Sequence, residues 1–150
     1  MRPFFLPLVI LLGFHSNAVA TWSVIAVDQK TGRVAIASAT CVSQERFHGF
    51  PAKGLMDIQA IVVPGKGVAA AQAAVDRTRK NQQLIFREMQ KGTPPAEILE
   101  LLKPDPEIER RQFAIVDLEG RRAGFSGSGN GKVSLDVQGA VAAERILFSV

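Results

Sequence analysis

Two histidines and one cysteine in 150 residues leave little for the common forms of side-chain catalysis. His15 lies in an apolar stretch at the start of the chain, so His48, in RFHGF, and Cys41 are the imidazole and thiol that remain. One of each is too few for a thiolate or imidazole zinc site. A Ser-His-Asp triad would have to use His48 and would lack the G-x-S-x-G elbow. His48 reads as a loop or partly buried residue. Cys41 reads as a small buried hydrophobe, and a lone cysteine forms no disulfide within its chain. The glycine-rich segments do not replace them. VPGKGV (63–68) contains Gly-Lys, but no hydroxyl residue follows and a strand comes next, where a phosphate loop needs a helix N-terminus. GSGNG (127–131) lacks the strand-to-helix setting of a dinucleotide fingerprint and reads as a loop. Neither a metal nor an organic cofactor is expected.

Thr21 offers a different chemistry. The sequence opens with Met1-Arg2-Pro3, continues through an apolar run at 4–14 and a polar His15-Ser16-Asn17, and reaches Ala18-Val19-Ala20. This is the pattern of a signal peptide cut after Ala20. The apolar run is shorter than the roughly 20 residues that span a bilayer, which favours a cleaved leader over a retained anchor. The expectation is export to the periplasm or beyond, with no membrane association after cleavage. Cleavage would make Thr21 the first residue of the mature chain. A terminal α-amine has an ordinary pKa of about 7.7–8.0, so part of it is free base at neutral pH. Sitting on the same residue as the hydroxyl, it can take the Oγ proton directly or through one water. A threonine after a leader is also common with no role, and spacing alone favours that plainer reading.

The elements that would position Thr21 follow from pattern. Residues 22–28 and 34–40 are rich in apolar and β-branched types around a polar, glycine-containing loop, which predicts a hairpin. Ala35, Ala37 and Ala39 alternate with Val34, Ile36 and Ser38, placing small side chains on one face of the second strand. Residues 57–63 and 67–73 predict a second strand pair around a proline-glycine turn. A helix is predicted over 76–90, capped by Asp76 and ended by Gly92, with Leu84, Ile85 and Met89 opposite Arg79, Lys80, Gln82 and Gln83. Thr93 and Pro94 open a second helix, 95–103, with Ile98, Leu101 and Leu102 inward. Residues 112–117 and 122–126 predict a third hairpin, and 133–138 a further strand. Hairpins separated by helices argue for one α+β domain over 21–150, with antiparallel sheets.

Apolar residues make up 47% and charged residues 21%, as in an ordinary globular domain. The net charge of +4 falls to about +3 without Arg2, the one charged residue of the leader. The basic residues are spread out, with one cluster at Arg77-Thr78-Arg79-Lys80 and no interleaved aromatics. This fits a solvated helix face rather than nucleic-acid binding.

Several stretches together resemble a bacterial family, domain of unknown function 1028, whose members are described as similar to N-terminal nucleophile (Ntn) hydrolases. They are TWSVIAVD with Thr31-Gly32 and VAIASA; VVPGKG and Ala71-Gln72-Ala73; RRQFAIVD; and Phe125-Ser126-Gly127 with Val137-Gln138-Gly139. The resemblance covers nearly all of 21–139. It implies a four-layer αββα sandwich with the N-terminal strand inside it, and it places Thr21 where Ntn hydrolases keep their nucleophile. That family has no established activity, so no further catalytic residue carries over. Gln72, polar within a strand of small apolar residues, is the candidate for oxyanion or substrate binding, or else for satisfying a buried backbone group. The second strand lacks the charged residues that proteasome-like members place near the nucleophile. Lys53 reads as a solvated loop lysine. After Val137-Gln138-Gly139 relatives continue with an asparagine and a helical region, whereas Ala140 follows here, so the C-terminal part is expected to be shortened or replaced. The expected activity is amide-bond hydrolysis of a small-molecule or peptide-like substrate. The alternatives are a non-catalytic secreted binding protein on the same fold and a truncated, inactive paralogue. N-terminal sequencing of the exported protein is expected to begin at Thr21. Any other start removes the nucleophile.

Overall fold

Alternating side chains in TWSVIAVD and RVAIASAT form strands β1 (Thr21–Asp28) and β2 (Arg33–Thr40), paired from Thr21 with Thr40 to Asp28 with Arg33. Asp28 shapes the turn between them by accepting from the Lys30 backbone and the Thr31 hydroxyl. In this computed structural model the described residues are 21–49, 52–131 and 134–150. The predicted leader, His15 included, lies outside them.

The remaining elements are α1 (Leu55–Gln59), β3 (Ala60–Val63), β4 (Gly67–Ala73), α2 (Lys80–Lys91), α3 (Pro95–Leu102), β5 (Arg111–Asp117), β6 (Arg122–Ser126), β7 (Gln138–Val141) and β8 (Ile146–Ser149). They form two antiparallel sheets, one in the order β2-β1-β8-β7 and the other β3-β4-β5-β6. The sheets face each other through β1, β4 and β5, and α2 and α3 lie over the second sheet. The fold is therefore an α+β sandwich of antiparallel sheets with β1 an internal strand. The described residues supply a helical layer on one side only. On the other side Ala35, Ala37 and Ala39 are exposed, so the small-residue face of β2 points outward.

Strand alternation sorts the apolar residues into two layers. Ala69, Ala71, Phe113 and Ile115 meet Ile85 and Met89 of α2 and Ile98 and Leu102 of α3. Val68, Ala70 and Val116, from the opposite face of the same strands, meet Ile25, Val27 and Leu147 of the first sheet.

Several local expectations are corrected. Residues 55–59 form a helical turn rather than the start of a strand: Ile58 and Gln59 are both buried in succession, which a strand with one wet face does not allow. Helix α2 begins at Lys80, after Arg79 in a left-handed conformation with φ 58°. Asp76 still caps it from a distance by accepting the Asn81 backbone N–H. Gln82 is buried, because it shares a face with Ile85 and Met89 three and seven residues on. In α3, Pro94 rather than Thr93 is the cap residue, and Leu101 is exposed while Leu99 packs inward. Cys41 is exposed, because Thr40 before it faces the interior and alternation turns the next residue out. The last predicted strand is displaced to Gln138–Val141, where it pairs with β8. The apolar C-terminal stretch thus supplies half of the first sheet.

Gly67 holds β4 close against β5. A Cβ there would lie 2.3 Å from the Val116 carbonyl oxygen and 2.7 Å from Asp117 Cα, and its φ is 155°. Gly67→Ala is expected to destabilise the fold by about 2–3 kcal/mol, measured by urea denaturation.

Candidate functional site

The inter-sheet layer changes character along the strands. Inward positions of β1 run Thr21, Ser23, Ile25, Val27, and those of β2 run Val34, Ile36, Ser38, Thr40. On the facing sheet, Val68 and Ala70 lead to Gln72, and Val116 and Ala114 lead to Gln112. Antiparallel pairing brings all the polar ends to one edge of the sandwich.

There they form a continuous uncharged network. Thr21 Oγ1 lies 2.8 Å from Thr40 Oγ1, and Ser23 Oγ lies 2.8 Å from Ser38 Oγ. Ser23 Oγ donates to Gln72 Oε1 at 2.6 Å, joining the two sheets. Gln72 Nε2 donates to the Thr21 carbonyl at 3.2 Å and to Gln112 Oε1 at 3.1 Å. Gln112 Nε2 continues to Ser126 Oγ at 2.9 Å and Ser134 Oγ at 3.0 Å, and those two hydroxyls bond each other. Thr40 Oγ1 also accepts the Val42 backbone N–H, which fixes where the chain leaves β2.

Thr21 stands between two spaces. One is an open cleft of about 590 Å³, with Ser23, Gln72 and Gln112 on its polar side and Trp22, Leu135, Val137 and Val150 on its apolar side. Those four apolar side chains are largely exposed. The other is a cavity of about 40 Å³ behind Thr21, reaching Gln59, Asp76, Gln82 and Arg111. A polar floor with an apolar wall is the ordinary composition of a small-molecule site.

Of the residues singled out from sequence, Thr21 and Gln72 adjoin in both spaces. Gln72 uses its whole amide within the network and fixes the Thr21 backbone. His48 lines a further cleft that adjoins the cavity behind Thr21, the two sharing Thr40, Val42, Phe47, Leu55 and Ile58. Lys53 is exposed, with its backbone N–H on Asp57. Among the described residues, Thr40 Oγ1 is the sole hydrogen-bond partner of the Thr21 hydroxyl, and no three His, Cys, Asp or Glu side chains gather to hold a metal ion. The supporting residues Ser23, Ser38, Thr40 and Gln112 were not anticipated. Their signal was the replacement of apolar by hydroxyl or amide side chains at the inward i, i+2 positions of each strand.

Charged side chains stand around the network rather than in it: Arg110 lines the open cleft, and Asp76 and Arg111 line the cavity behind. Arg111 Nε donates to Asp105 Oδ2 at 3.0 Å, and its Nη1 donates to the Ala74 carbonyl. Asp105 also accepts from Asn81 Nδ2 at 2.6 Å and from the Glu107 backbone. Burial acts to raise the Asp105 pKa, but the Asn81, Glu107 and Arg111 hydrogen bonds and the Arg111 charge outweigh it, leaving it below the ordinary carboxylate value. Asp76 is lowered in the same way: burial opposes, and the Thr78 and Asn81 hydrogen bonds prevail.

With this geometry in view, comparison with known proteins places the chain. A family model described as a family of unknown function (DUF1028) matches residues 21–146. The chain belongs to that family. The crystal structure of protein SPO2555 from Silicibacter pomeroyi, assigned to the same DUF1028 family model, superposes with a TM-score of 0.65 at 21% identity, covering 86% of this chain and 51% of that one. At that identity the likeness is one of fold. The present chain thus spans about half the length of that DUF1028 relative. No curated protein matches it in sequence.

Because both aspartates titrate below their ordinary values, their contribution to stability is complete above about pH 4–5 and is lost as pH falls through their native values. Asp105→Asn removes the carboxylate but leaves Arg111 buried. Urea denaturation at pH 7 is expected to show a loss of about 3 kcal/mol, shrinking as pH falls below the ordinary carboxylate value and through the lowered native one.

Proposed function

We propose that this DUF1028 protein is an exported amide-bond hydrolase of the Ntn type, with Thr21 as nucleophile after removal of residues 1–20. The observation that carries the reading is the position of Thr21: first residue of an internal strand, its carbonyl held by Gln72, at the edge of a cleft large enough for a small molecule or short peptide. The freed α-amine takes the Oγ proton as Oγ attacks the substrate carbonyl carbon. The tetrahedral intermediate collapses as the C–N bond breaks, and the leaving amine accepts that proton. Water then attacks the resulting ester, giving a carboxylic acid and restoring the Thr21 hydroxyl. Removal of the leader is part of the chemistry, since a Thr21 still in peptide linkage has no basic amine.

The bonding of the Thr21 hydroxyl supports this assignment of the base. Among the described residues no ionisable side chain hydrogen-bonds to Thr21 Oγ1. The same fact favours the second reading, a binding protein on this fold whose cleft holds a ligand without turning it over. Thr21→Ala and Thr21→Ser separate the two. Hydrolysis of a library of acyl 4-nitroanilides by the processed protein is expected to fall at least about a thousandfold in Thr21→Ala, and to persist in Thr21→Ser, which keeps hydroxyl and amine. Equal turnover in the parent and Thr21→Ala would overturn the nucleophile. Ligand binding with no turnover in either would establish the second reading.

A further inference from the structure

Strand register decides which backbone groups of the second sheet are left over. The Ala74 backbone N–H donates to the Arg110 carbonyl, so the pairs in step with it, Gln72 with Gln112, Ala70 with Ala114 and Val68 with Val116, exchange backbone bonds between β4 and β5. The alternate residues of β4 turn their backbone toward β3, where Ala69 pairs with Ile61. By the same alternation Ala60 and Val62, opposite Ala70 and Val68, point their backbone groups away from the sheet. The Ala60 N–H is used on the Met56 carbonyl. The Ala60 carbonyl and both backbone groups of Val62 remain on an open edge. Ala60–Val63 carries none of the charges, prolines or bulges that commonly guard such an edge.

Helix α2 runs beside this edge. The groove between them holds about 410 Å³ and is lined by Val62, Gln83, Phe86, Arg79 and Arg87. Its helical wall is cationic. Arg77, Arg79, Lys80 and Arg87 form no ion pair among the described residues. Arg79 Nη2 donates to the Asp57 carbonyl at 2.8 Å, which orients the guanidinium without neutralising it. Glu88, next to Arg87, is bonded instead to Lys91 and Thr93.

These features select a partner. A row of backbone donors and acceptors is matched by another extended backbone, and strand addition at a sheet edge is a recurring mode of peptide recognition. In an antiparallel pair the residue opposite Val62 exchanges two bonds with it, and the residue opposite Ala60 donates its N–H to the Ala60 carbonyl. The side chain opposite Val62 shares the face of Val62, which is 44% exposed, and gains by being apolar. Its two neighbours share the face of Ile61, toward α2, and gain by being acidic beside Arg79 and Arg87. We propose that the groove between β3 and α2 binds an extended peptide of acid–apolar–acid pattern as a further strand of the second sheet. The groove shares no lining residue with the cleft at Thr21, so this site stands apart from the hydrolase reading.

The test is fluorescence anisotropy of a labelled pentapeptide, Ala-Glu-Val-Glu-Ala blocked at both ends, titrated with the processed protein. Saturable binding is expected, weakened at least about tenfold by N-methylation of the valine, and by a similar factor when lysine replaces both glutamates. Val62→Pro removes an N–H that faces outward, so the fold is expected to persist by its thermal transition while binding falls at least about tenfold. Arg87→Glu is expected to weaken the acidic peptide at least about fivefold and to bind the lysine peptide more tightly than the parent does, which an unfolded variant would not do. Thr21→Ala is expected to bind the peptide as the parent does. Absence of saturable binding overturns the proposal, as does equal affinity for the N-methylated peptide, which would leave charge attraction alone. A short single-stranded DNA that binds as tightly as the peptide also overturns it. Self-association abolished by Val62→Pro would assign the edge to a second copy of the chain and overturn the peptide.

Discussion

The hydrogen bond from Ser23 Oγ to Gln72 Oε1 is the polar link on which the working edge of this molecule depends. Apart from this bond and the one from Gln72 Nε2 to the Thr21 carbonyl that it sets up, the facing strands meet through apolar packing of Ile25, Val27, Val68 and Val116, which is non-directional and would tolerate sliding. A 2.6 Å contact between a hydroxyl on one sheet and an amide on the other fixes their relative position. It also orients the Gln72 amide, whose Nε2 then reaches both the Thr21 carbonyl and Gln112. Each such neutral bond is worth only about 1 kcal/mol net. An unmade one in a buried place costs as much or more, so the network strongly favours a single arrangement.

Alternation lets the second sheet serve two environments at once. In β5, Phe113 and Ile115 face the helices while Gln112, Ala114 and Val116 face the first sheet. The helix side is apolar at Phe113 and Ile115 and charged only at its ends, Arg111 and Asp117, while the inter-sheet side passes from valine through alanine to glutamine. The small residues Ala70 and Ala114 bring the sheets close enough for serine and glutamine side chains to meet. Larger residues there would separate Ser23 from Gln72 without touching either.

Most of the sheet architecture was legible because it is written in local pattern. β1, β2, β4 and β6 fall within a residue of where period-two alternation and turn residues put them, and Gly92 ends α2 with φ 86°. What was not legible depends on partners distant in sequence. Asp76 caps α2 across a loop rather than adjacent to it. Leu101 is exposed because α3 rests on β5 and β6 through its other face. The C-terminal stretch reads as an apolar tail until β8 is seen inserted between β1 and β7. At the site, Thr21 and Gln72 stand out by type, but the meeting of Ser23, Gln72 and Gln112 requires knowing which strand faces which.

The network also limits what the proposed chemistry can use. Both hydrogens of Gln72 Nε2 are engaged, on Thr21 and Gln112, and both of Gln112 Nε2 are engaged, on Ser126 and Ser134. A developing oxyanion at Thr21 therefore draws no donor from either amide unless the network opens. Gln72 accordingly acts on Thr21 by position, holding its carbonyl so that amine and hydroxyl project from a fixed backbone. The absence, among the described residues, of a carboxylate bonded to the Thr21 hydroxyl suits the same end, because burial without an anionic partner disfavours an ammonium. A carboxylate bonded to Thr21 would instead stabilise the ammonium and weaken the base. For a residue that carries its own base, the uncharged strand beside Thr21 is compatible with catalysis, and the pairing of Arg111 with Asp105 and of Arg110 with Glu107 compensates both arginines around it.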